Sequence, residues 1–79
     1  MTLTSRAEAL FTSPLQPSER PDPAQIRAAI RASVRAHHGI RGCVRELATE
    51  YGDHPDRAAD RMRWALAQAA ALESAASAR

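Results

Sequence analysis

The apolar positions of this chain recur at spacings of three and four, the pattern of helices that bury one face. From Pro23 to about His38, Ile26, Ile30, Ser33, Val34 and His37 share a face, and Arg27, Arg31 and Arg35 lie off it. Asp22 stands just ahead of Pro23 with Gln25 three positions on, a capping box that starts this helix. Gly39 is the expected left-handed stop, with Ile40 folding back as the apolar contact of a Schellman end. A second helix is predicted from about Gly42 to Tyr51. Its inward face is Cys43, Val44, Leu47, Ala48 and Tyr51, with Arg45, Glu46, Thr49 and Glu50 outward, and Gly52 is expected to end it. Asp53 is the expected cap of a third helix, with Pro55 in its first turn. This helix runs to about Ser74 on a stripe of Ala58, Ala59, Met62, Ala65, Leu66, Ala69 and Leu72.

Ahead of these, "SRAEALF" carries a Ser5-x-x-Glu8 capping box and predicts a turn or two of helix. "TSPLQPSERPDP" holds every proline except Pro55 and reads as a stiff linker, unfit for a helix interior. No segment shows the β-branched and aromatic alternation of a strand. The predicted architecture is all-α. A compact three-helix bundle occupies 23–74, preceded by an N-terminal arm over 1–22 and followed by a frayed 75–79.

Size sharpens this picture. A chain of 79 residues holds one domain, and such domains bury only about 60% of their unfolded surface. Alanine supplies much of the apolar content and buries little area per residue. The third helix also has a second apolar side. At about 100° per residue, Trp64 points away from Met62, beside Ala67, Ala71 and Ala75. Leu10, Phe11 and Leu15 of the arm could cover it. Alternatively, Trp64, Ala67 and Ala71 anchor a homodimer or a partner protein, since buried tryptophans often dominate interfaces.

The formal charge of +2 is unevenly spread. Residues 24–50 carry five arginines against Glu46 and Glu50, while 51–79 carry four arginines against four acids. All eleven basic residues are arginine, which fits either a guanidinium preference for phosphate or a GC-rich genome. Arg27, Arg31 and Arg35 recur every four residues with no intervening acid, and Arg41 follows just past the turn. Such a stripe repels itself on an isolated helix. It reads as a phosphate-contacting face or as a solvated one paired across the fold.

Two helices meeting at Gly52 and Pro55 raise the possibility of a helix-turn-helix. Ala48, Gly52 and Ala58 fit the small, turn and core positions of that motif. Asp53 and Arg61 stand where it wants apolar residues. In this reading His54, Arg57 and Arg61 lie near base edges, and Arg27, Arg31, Arg35 and Arg41 contact phosphates. Asp53, Asp56 and Asp60 oppose it, because carboxylates repel a phosphate backbone.

Catalytic chemistry is not expected. There is no glycine-rich phosphate loop, no Ser-His-Asp order and little interior from which to build a substrate pocket. His37 and His38 diverge on a helix, and with Cys43 and His54 they form no zinc spacing. Neither metal nor other cofactor is expected. His37 reads as a core-edge residue favourable to a helix C-terminus. Cys43, the single cysteine, rules out an internal disulfide and fits a reducing compartment. With neither a leader nor a membrane-length apolar run, the expected location is the cytoplasm.

At "LQPSERPDPAQIRAAI", "GIRGC" and "EYGDHPDRAADRMRWA" the chain resembles small helical proteins common in actinobacteria. That resemblance covers most of residues 10–66 and implies no activity or site. The leading expectation is a small non-catalytic regulator on double-stranded DNA, dimeric, touching neither membrane nor small-molecule substrate. The alternative is a protein-protein adaptor that binds through Trp64 and the alanine face without nucleic acid.

Overall fold

The computed structural model describes residues 1–77. The fold is all-helical, with four helices where the pattern predicts a bundle of three. They are α1 (Leu3–Phe11), α2 (Pro23–Ala36), α3 (Ile40–Asp53) and α4 (Pro55–Ser77), with a 3-10 turn at Pro17–Glu19 between α1 and α2.

The additional helix comes from the segment expected to be an arm. Helix α1 packs against all three of the others, most extensively α4. Nine residues are too few for a stable helix in water, so α1 depends on what it buries. Ala7, Ala9 and Leu10 are wholly inaccessible and Phe11 nearly so. Small alanines let the neighbouring helices approach, and Leu10 fills the space between them. The cap also differs from expectation. Thr2 caps this helix, its hydroxyl accepting from the Ser5 backbone N–H at 3.0 Å. Ser5 therefore lies inside the first turn, and the Ser5–Glu8 box does not form.

Helix α2 starts as its sequence predicts. The Gln25 N–H donates to Asp22 Oδ1 at 2.8 Å, and the Asp22 N–H donates to Gln25 Oε1 at 2.8 Å. Its end is a Schellman motif displaced by one residue from the expected position. His38, not Gly39, takes the left-handed conformation at φ 59°. The His38 N–H then donates to Arg35 O at 3.3 Å, and the Gly39 N–H to Val34 O at 2.8 Å. Gly39 at φ 112° redirects the chain into α3. There Gly42 is buried against the end of α2, and a Cβ on it would lie 1.7 Å from His37 O. This one close approach sets the α2–α3 corner.

The α3–α4 corner is tighter than predicted. Helix α3 continues through Gly52 and Asp53, and His54 alone separates it from α4. The His54 N–H donates to Glu50 O at 2.7 Å, closing α3, while His54 O accepts from the Ala58 N–H at 2.9 Å, opening α4. His54 thus holds the place assigned to Asp53. Pro55 follows at the first helical position, where its missing N–H costs nothing.

The core joins α1 residues to Ile26, Ile30, Cys43, Ala58, Ala65, Ala69 and Leu72, with Phe11 stacked on Tyr51 at 6.0 Å between ring centroids. Leu66, expected inside, is exposed, as are Val44 and Ala48 of the predicted inner face of α3. Helix α1 packs on both α3 and α4, so the faces they bury include the side toward α1. Helix α4 also carries through residues 75–77, expected to be frayed. The rest of that stretch lies outside the described residues. No described helix is long and apolar enough to cross a membrane.

Candidate interaction surface

The arginines divide into two populations. Arg61, expected near DNA bases, turns inward and is half-buried. Its Nε donates to Phe11 O at 2.7 Å, and its Nη2 donates to Ser13 O at 2.7 Å and Leu15 O at 2.9 Å, with a longer contact of 3.5 Å to Leu10 O. The Phe11, Ser13 and Leu15 carbonyls belong to the C-terminal end of α1 and the turn beyond it, where intrahelical donors run out, while Leu10 O already accepts from the Ser13 N–H and hydroxyl. A planar cation with several fixed donors suits that partially negative end. The guanidinium carbon also sits 5.0 Å from the Trp64 ring centroid and 5.9 Å from that of Phe11, within cation–π range. Burial lowers the pKa of this guanidinium, and the Glu50 charge acts in the opposite direction. With its Nε and Nη2 donors engaged by these carbonyls, Arg61 is turned into the fold rather than toward a base edge.

Arg27, Arg31, Arg35 and Arg41 are all exposed. Among the described residues the ion pairs are Arg6–Glu73 at 3.5 Å and Arg63–Asp60, so none of these four is matched to a carboxylate. Helix α2 contains no acidic residue. With about 6 Å of rise per four residues, its three guanidiniums form a row that no internal partner neutralises.

The other expected site residues are dispersed. His54 is exposed at the α3–α4 corner. Arg57 is exposed but lines a cleft of about 420 Å³ with Glu46 and Glu50, where carboxylates would oppose a phosphate. The helix-turn-helix geometry is not formed. Gly52 is helical rather than a turn residue, and Ala48 is exposed rather than packed beneath the next helix. Trp64 is partly buried against the core beside Arg61, whereas Ala67 and Ala71 are exposed. No group of three His, Cys, Asp or Glu that could hold a metal occurs among the described residues. Cys43 is buried, its Sγ 3.8 Å from Ser33 O, as a small apolar residue would be.

The structure brings in one residue that sequence reasoning did not place. Arg6 of α1 lines a groove with Arg27, Arg31, Ile30 and Leu72. No local pattern marks Arg6 for this, since apart from Met1 its neighbours there come from α2 and α4. No family model matches the chain, and neither a characterised protein nor a solved structure proved similar to it.

Proposed function

We propose that the protein is a small, non-catalytic DNA-associated regulator that grips duplex phosphates through the arginine face of α2. The observation that carries this reading is the row Arg27, Arg31 and Arg35, exposed, free of acidic neighbours on its helix and without ion-pair partners among the described residues. Like charges one turn apart destabilise a helix by a few tenths of a kcal/mol per pair. A polyanion relieves that repulsion and releases its own counterions. Arg41, at the start of α3, is included as a fourth phosphate contact. Base reading by His54, Arg57 and Arg61 is not part of the proposal, because Arg61 is engaged within the fold and Arg57 faces carboxylates. The contact is one of charge and shape.

Salt dependence tests it. With three or four phosphate contacts, the slope of log affinity for a fluorescent duplex against log salt should be about −3, at roughly 0.9 per contact. Arg27→Ala with Arg31→Ala should flatten that slope by nearly 2. Absence of duplex binding at low salt would end this reading.

One observation favours the adaptor alternative, in a revised form. Leu66 is 36% exposed, with Ala67, Ala70 and Ala71 exposed around it. Trp64 is partly buried against the core, so the outward face of α4 around Leu66, rather than the indole, is the surface a second protein or second copy would cover. Leu66→Arg should then abolish self-association or partner binding while leaving the salt slope on DNA intact.

A further inference from the structure

An arginine of α1 joins two arginines of α2, one turn apart, in lining a single groove. Arg6 from α1 and Arg27 and Arg31 from α2 line it together with Met1, with Ile30 of α2, and with Leu72 and Ala76 of α4. Ile30 and Leu72 are core residues, 5% and 7% exposed, so the groove reaches down to the edge of the interior. Its volume is about 280 Å³. At about 30 Å³ per water-sized group, that admits a ligand of roughly ten non-hydrogen atoms. Arg6 contacts the Glu73 carboxylate, at a long 3.5 Å and between partly exposed side chains. Arg27 and Arg31 have no such contact among the described residues.

From this juxtaposition we propose that the groove binds a small amphiphilic anion, a medium-chain aliphatic carboxylate. The chain would lie on Ile30 and Leu72, and the carboxylate would sit among Arg6, Arg27 and Arg31. Charge complementarity selects the head, because guanidinium forks pair bidentately with planar carboxylates. The apolar lining selects the tail, because water on exposed Ile and Leu edges is displaced favourably by methylenes. The site does not rest on the DNA reading, although Arg27 and Arg31 serve both, so ligand and duplex would compete for them.

The test uses the whole chain without DNA. Octanoate, kept below its micelle concentration, is titrated into isotopically labelled protein and followed by amide chemical shifts. Ligands of this size reach dissociation constants on the order of 0.1–1 mM. Saturable shifts confined to residues around Arg6, Arg27, Ile30, Arg31 and Leu72 are expected, with acetate and octanol binding at least about tenfold more weakly. Arg27→Gln with Arg31→Gln should weaken octanoate by about tenfold or more. Ala76→Leu should do so sterically without touching a charge. Both changes are at exposed positions, and unshifted spectra elsewhere would show that the fold survives. Equal affinity for octanol, equal affinity for acetate, or no saturable shift would each overturn the site. A duplex-binding failure with octanoate still bound would sink only the DNA reading.

Discussion

The seam between α1 and α4 and the outer face of α2 use the same side chain in opposite ways. At the seam, Arg61 donates to three backbone carbonyls within 2.9 Å and lies against two aromatic rings. On α2, Arg27, Arg31 and Arg35 are exposed and pair with no carboxylate among the described residues. The contrast teaches that an arginine's role here follows from which orphan acceptors the fold brings to it. Arg61 arrives where α1 ends and its last carbonyls need donors. Among the described residues nothing comparable reaches the arginines of α2.

The largest expected effect tests the seam. Arg61→Ala should lower unfolding free energy by about 3–4 kcal/mol, because it removes charge-assisted hydrogen bonds and leaves partly buried carbonyls unpaired. Arg61→Lys should recover less than half of that loss in chemical denaturation, since one ammonium cannot reproduce the fork. Full rescue by lysine would mean that charge alone holds the seam and would erase the contrast.

Next in size is the anchor of α2. Gly42→Ala places a methyl 1.7 Å from His37 O, a backbone atom that cannot swing away, so a loss of about 3 kcal/mol is expected. Gly52 has open space around its Cβ position, and it serves as the control. Gly52→Ala should be neutral or stabilising by up to about 1 kcal/mol. If both changes lower the melting temperature equally, the close approach at Gly42 is not what fastens α2 to α3.

A smaller, stabilising effect is expected at His38. Its left-handed backbone costs a residue with a side chain about 1–2 kcal/mol, and glycine returns part of this in unfolded-state entropy. His38→Gly should therefore gain about 0.5–1 kcal/mol in denaturant midpoint measurements. The smallest effect belongs to the outer face of α2. Arg27→Ala with Arg31→Ala should change stability by no more than about 0.5 kcal/mol while altering the salt slope on DNA. A large destabilisation would show that these arginines, like Arg61, are engaged within the fold.

Individual residues show where the sequence was legible. The Asp22–Gln25 box was readable because both partners lie within one turn and their backbone geometry is local. The start of α4 was legible to within one residue, because Pro55 marks a first turn while the cap expected at Asp53 falls on His54. The stop after α2 was read one residue late, because glycine's tolerance of positive φ pointed to Gly39 while the hydrogen bonds place the left-handed residue at His38. Gly52 carried the same turn signal and is helical. Within the predicted arm only a turn or two of α1 was legible, because nine residues are too few to hold a helix alone. They are stabilised by packing against α2, α3 and above all α4.

Thus the sequence alone determined an all-helical chain, the start of α2 and the acid-free arginine row on it, since each depends on neighbours within a turn or two. Tertiary structure decided that α1 belongs to the core, that Arg61 faces inward and that Arg6 joins Arg27 and Arg31 in lining one groove with Ile30 and Leu72. Those outcomes depend on which unpaired carbonyls and apolar edges meet once the helices pack. That meeting is a property of the assembled surfaces, and no local pattern encodes it.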